Sequence, residues 1–86
     1  MVEELTIMGV LVTNRTEEAT EVQKVLTNHG CSIKTRLGMH ETDEEYCSKK
    51  GVIILELVGD KKDWNELENK LNSIEGVIVK KMEFEF

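Results

Sequence analysis

At 86 residues and a formal net charge of −6, the chain has the length of one domain and lacks the basic face that a phosphate-backbone binder needs. Cys31 and Cys47 are too few for a disulfide framework, and no apolar run approaches the ~18 residues of a membrane span. No basic-then-apolar signal segment opens the sequence, so a cytoplasmic protein with reduced thiols is expected, without nucleic acid or membrane partners.

The first run, LTIMGVLV at residues 5–12, is apolar on both alternations apart from Thr6 and Gly9, as in a central strand covered on two faces. The period then changes. Asn14 or Thr16 suits an N-cap, Glu17 and Glu18 suit a first helical turn, and Ala19, Val22, Val25, Leu26 and His29 follow at helical spacing up to Gly30. His29 is placed to bond the helix end, and Cys31 beside the stop is expected as a small packed side chain. Residues 31–40 alternate: Ile33, Thr35, Leu37 and Met39 face one way, and Lys34, Arg36 and His40 the other. Next comes a connection, GMHETDEEYCSKKG, dense in carboxylates. GVIILELV is a further strand, with Glu56 its polar exception. Asp60 caps a second helix with Trp64, Leu67, Leu71 and Ile74 as its apolar stripe, Gly76 stops it, and VIVKKMEFEF is the last strand.

The order βαββαβ predicts an α+β, ferredoxin-like sandwich: a four-stranded antiparallel sheet with two helices on one face, as one domain over residues 1–86. Helices on one side leave the other sheet face open to water. Met8, Val10 and Val12 or their neighbours, with Val52, Ile54 and Val58, would then form an uncovered apolar patch. Such a patch marks a partner surface, and a second copy of the chain is the simple occupant, giving a homodimer or higher homo-oligomer. A domain this small gains stability from such association.

Several stretches carry a family likeness. LVTNR, IKTRLG, GVIILELVGD and LENKLNSIEGVIVKKM resemble the small regulators linked to iron-only hydrogenase systems, which are similar to the ACT domain and to the C-terminal domain of the nickel-responsive repressor. The resemblance rests on Asn14–Arg15, Arg36, Gly38, Lys70–Leu71 and SIEGVIVK, which are mostly turn and core positions. It implies a ferredoxin-like oligomer with a regulatory or sensing role and no catalytic signature. Lys34 and Arg36 on the exposed alternation of strand two suit a soluble edge strand whose charges discourage aggregation or, with Asn14 and Arg15 in the other turn and Gly38 beside them, a ligand contact for a small-molecule anion at a subunit interface. Amino-acid-binding ACT domains carry an acidic residue and a glycine in the turn after strand one, whereas TNRTEEA has no glycine. The repressor carries a ribbon-helix-helix segment before its sensor domain, whereas this sequence starts almost at strand one, so direct DNA recognition is not expected.

The repressor also binds metal with histidines ending its second strand and a cysteine opening its third. His40 and Cys47, seven residues apart, stand at similar places, and imidazole with thiolate suits nickel, copper or zinc. The repressor's further histidine falls on Gly38 here. His29 and Cys31 lie at the far end of strand two, roughly 30 Å away in extended chain. One chain thus offers two strong ligands, and a complete transition-metal site needs a second chain. The plain alternative is a soluble acidic connection with no cofactor. A Cys47–His40 dyad imitates nucleophilic catalysis, but no orienting third group accompanies it, so no enzymatic activity is expected. A subunit that serves assembly alone, without ligand, is the remaining reading.

Overall fold

The computed structural model describes residues 3–39 and 50–86, leaving aside the side chains of residues 15, 16, 17, 19 and 39. In chain order come β1 (Glu4–Val12), α1 (Arg15–Asn28), a 3-10 turn at Gly30–Ser32, β2 (Ile33–Met39), β3 (Gly51–Leu57), α2 (Lys61–Asn72) and β4 (Val77–Glu85). The strands form one sheet in the order β2-β3-β1-β4, and every neighbouring pair is antiparallel. This is the expected ferredoxin-like βαββαβ arrangement.

One sheet face makes the core. Thr6, Met8, Val10 and Val12 of β1 are buried with Ile53, Leu55 and Leu57 of β3 and with Val77 and Val79 of β4. Val22 and Leu26 of α1 and Trp64, Leu67 and Leu71 of α2 close over them. Burying a Leu, Val or Met side chain stabilises by about 1.5–3 kcal/mol, so this layer holds the fold. Of the two sets that the sequence left open for the uncovered patch, Met8, Val10 and Val12 are the one that turns inward. Their neighbours Leu5, Ile7 and Leu11 take that face. The sequence of β1 is apolar on both alternations, so only helix docking decides which set turns inward.

β2 departs from simple alternation. Ile33 pairs with Leu57 but Thr35 pairs with Glu56, so Lys34 is an extra residue at a bulge. Ile33 therefore packs against the core, while Thr35 and Leu37 turn to the open face. The expectation of one shared side for Ile33, Thr35, Leu37 and Met39 is corrected by that insertion.

The helix ends are built locally. Asn14 takes the N-cap position of α1, and Glu18 Oε2 accepts its backbone N–H at 3.2 Å. Asp60 Oδ1 accepts the Lys62 N–H at 3.0 Å and caps α2, with Asp63 in the first turn. His29 Nδ1 lies 2.9 Å from the Val25 carbonyl oxygen, so its ring meets the end of α1 as expected. Cys31 is exposed on the 3-10 turn, not packed. That short turn, and not Gly30 alone, carries the chain from helix to strand and lifts residue 31 off the core.

Candidate functional site

The sheet face away from the helices is left open among the described residues. Its residues follow from the register. Leu5 stands beside Phe84, and Ile7 lies between Met82 and Glu56, with Thr35 beyond Glu56. Gly9 lies between Lys80 and Ile54, with Leu37 beyond, and Leu11 lies between Ile78 and Val52. Gly9 has no side chain to offer, and Ile54 Cδ1 reaches to 4.0 Å from where a Cβ would sit. An aliphatic strip thus crosses all four strands from Leu37 to Met82. Leu37 is 54% exposed and Met82 57%, which neither helix relieves.

Polar groups border the strip. Thr35 Oγ1 donates to Glu56 Oε1 at 3.1 Å, and Lys34 Nζ lies 3.9 Å from Glu56 Oε2. An open cleft of about 640 Å³ lies at this corner, bordered by Glu4, Lys34, Glu56, Val58 and Phe86. Lys34 and Glu56 already answer one another there.

At the opposite end of the sheet the β1–α1 turn is closed by its own contacts. Thr13 donates both its N–H, at 3.0 Å, and its hydroxyl, at 2.8 Å, to the Gly76 carbonyl oxygen. With Asn14 N–H given to Glu18, two backbone donors of this turn are committed within the fold. An amino-acid carboxylate at this turn would have to displace them.

The candidate ligand residues are spread over the start of α1 and the edge strand β2. Asn14 and Arg15 lie at the start of α1. Gly38 lies at the same end of the sheet, opposite Ile53, exposed and with nothing within 4 Å of a Cβ built on it. Arg36 stands opposite Leu55, on the helix side of the edge strand, and its Nη2 donates to Gln23 Oε1 of α1. Gln23 is roughly 12 Å of helix rise from Arg15, so Arg36 meets the middle of α1 and not its start.

His40 and Cys47 lie outside the described residues. Among the described residues no three His, Cys, Asp or Glu side chains are grouped to hold a metal ion. Also among them, no helix is long and apolar enough to cross a membrane. The sequence reading missed Leu37, Ile78, Met82 and Phe84 as exposed apolar residues. The alternation in MEFEF was the available signal, since it pairs one apolar row with one carboxylate row.

Comparisons with known proteins agree with this architecture. The family model described as "TM1266-like: Iron-only hydrogenase system regulator, putative" matches residues 4–81. The structure of uncharacterized protein TM1266 from Thermotoga maritima is 29% identical, with a TM-score of 0.78 over 95% of this chain and 99% of that one. The nitrogen regulatory PII-like protein CPII from Thiomonas intermedia, bound to ADP, AMP and bicarbonate, is 9% identical with a TM-score of 0.66, covering 100% of this chain and 96% of its own. A PII-like signaling protein from Thermus thermophilus is 10% identical with a TM-score of 0.60, covering 99% and 91%. These last two likenesses concern the fold alone. No curated protein sequence matches the chain.

Proposed function

The chain belongs to the TM1266-like family of iron-only hydrogenase system regulators, and from that premise we propose that it is a small, non-catalytic regulatory module of ACT-like type that acts as a homo-oligomer in the cytoplasm. The observation that carries this reading is the open sheet face. A continuous apolar strip bordered by polar residues on an 86-residue chain is what a partner surface requires. A second copy covers it with the same strip, because a two-fold interface is self-complementary.

The ligand of such a module is a small anion held where chains meet. Arg15 and Arg36 are of the residue type that binds carboxylate or phosphate in a planar fork, and Asn14 and Gly38 lie at the same end. CPII was solved with ADP, AMP and bicarbonate, so adenine nucleotides and bicarbonate are the first pools to try.

Two measurements test this. Light scattering at micromolar concentration is expected to give at least a dimer mass, and a clean monomer at high concentration rejects the oligomer. Melting is then followed with adenine nucleotides, bicarbonate and amino acids. Binding at a hundred times the dissociation constant stabilises by about 2.7 kcal/mol, a shift of several degrees. An unchanged melting temperature in every pool leaves a subunit that serves assembly alone.

A further inference from the structure

β4 is an edge strand, and three of its properties concern what meets that edge. Five large hydrophobic residues are exposed among the described residues, and four lie on or just after β4: Ile78, Met82, Phe84 and Phe86. The strand is nine residues long and pairs with β1 without irregularity. The other edge, β2, is bulged at Lys34, which is how an edge is made unfit for pairing. Finally, β4 carries Lys80 and Lys81 followed by Glu83 and Glu85, a balanced set on a chain of net charge −6.

The direction of its free backbone groups follows from its inner partner. Glu3 and Phe86 exchange both backbone hydrogen bonds, at 2.7 and 2.9 Å. Such pairs recur at every second residue, so the even-numbered residues of β4 bond β1 and the odd-numbered ones point their N–H and C=O groups outward. The outward row includes Lys81 and Glu83.

We infer that β4 pairs antiparallel with β4 of a second copy, in the register that sets Met82 opposite its own counterpart, joining two four-stranded sheets into one. In this register Lys81 stands opposite the partner's Glu83 twice, in hydrogen-bonded pairs. Met82 packs on the partner's Met82, Ile78 on the partner's Phe86, and Phe84 on the stem of the partner's Lys80. The neighbouring registers are disfavoured by charge: the one that sets Glu83 against Glu83 also sets Lys81 opposite the partner's Glu85, but each adds a like-charge pair that the Met82 register lacks. A shift by two residues one way sets Lys81 against Lys81, and the other way sets Glu83 against Glu83, and like charges directly opposite destabilise. Lys81 already bridges Glu68 at 3.2 Å and Glu83 at 3.5 Å within its own chain. The second copy therefore extends an existing charge row. This interface does not depend on the open sheet face being covered.

The test uses the full chain with Cys31→Ser and Cys47→Ser as background. The Met82 pair is a non-hydrogen-bonded one with Cα atoms ~4.5 Å apart, inside the range of a disulfide. Met82→Cys is expected to cross-link on mild oxidation at least about tenfold faster than Glu85→Cys, whose counterpart lies roughly 20 Å along the pair. Glu83→Lys places Lys against the partner's Lys81 and is expected to stop association at this edge. Lys81→Glu places Glu against Glu83 and does the same. Mixed together, these two variants oppose opposite charges at both positions, and association returns as a heterodimer. Circular dichroism melting establishes that each variant is folded. Equal cross-linking of Met82→Cys and Glu85→Cys, or a mixture that behaves as its separate components, overturns the proposal. Ile54→Asp separates it from the open-face reading, since that change leaves the Met82→Cys cross-link in place.

Discussion

Thr13 and Gly76 are joined twice through one oxygen: the N–H and the hydroxyl of Thr13 both donate to the Gly76 carbonyl, at 3.0 and 2.8 Å. The joint fixes where β1 ends and β4 begins, and it leaves no room for a side chain. Gly76 has φ +84°, and a Cβ built there meets the Glu18 carboxylate and Thr13 Oγ1. Gly59 has a similar φ of +91° with nothing within 4 Å. Gly59→Ala is thus expected to cost about 1 kcal/mol of backbone strain, and Gly76→Ala clearly more. Adding Glu18→Ala to Gly76→Ala should recover part of the difference. Urea denaturation measures all three, and equal losses at the two glycines would show that the contact at Gly76 is unimportant.

Trp64 anchors α2 to the end of β3. It is 5% exposed, and its Nε1–H donates to the Val58 carbonyl oxygen at 2.8 Å. Trp64→Phe keeps most of the packing and orphans one acceptor, an expected loss of about 1–3 kcal/mol. Trp64→Ala opens a cavity and costs about 3–5 kcal/mol, which leaves little of the stability of a chain this size. Denaturation followed by circular dichroism distinguishes the two, since both variants lack the only tryptophan. A Phe variant as unstable as the Ala variant would shift the weight from packing to the hydrogen bond.

Val10 and Ile54 lie on β1 and β3 but on opposite sheet faces. Val10 is 0% exposed in the core, and Ile54 is half-buried on the open face. Val10→Asp buries an unpaired charge and is expected to unfold the chain, at a cost above about 3 kcal/mol. Ile54→Asp is expected to leave the monomer folded and to abolish association through the open face. Light scattering beside circular dichroism reads both, and an Ile54→Asp protein that still associates by its face would remove that interface.

Metal binding is expected to be weak. His40 and Cys47 supply two strong ligands per chain, and a closed zinc site needs four. Reduced protein titrated with Ni(II), Zn(II) and Cu(II) should bind no more tightly than micromolar. His40→Ala and Cys47→Ser should change little. Submicromolar binding lost in both variants would make the chain a metal sensor.

The sequence by itself determined the order and kind of the elements, because each writes its own period. Trp64, Leu67 and Leu71 recur at helical spacing and are all buried, and Asp60 caps that helix through its own neighbour. It also implied an uncovered sheet face, since two helices cover only one side of four strands. Which residues occupy that face was decided by tertiary structure alone. LTIMGVLV is apolar at both parities, so helix docking, and no local preference, buries Met8 and Val10 and leaves Ile7 and Leu11 half-buried on the open face. The bulge at Lys34 likewise turns Ile33 away from Thr35, because it arises from pairing with Leu57 and Glu56 far along the chain. Arg36 meets Gln23 for the same reason: a strand parity set by register at a distance cannot be read from ten consecutive residues.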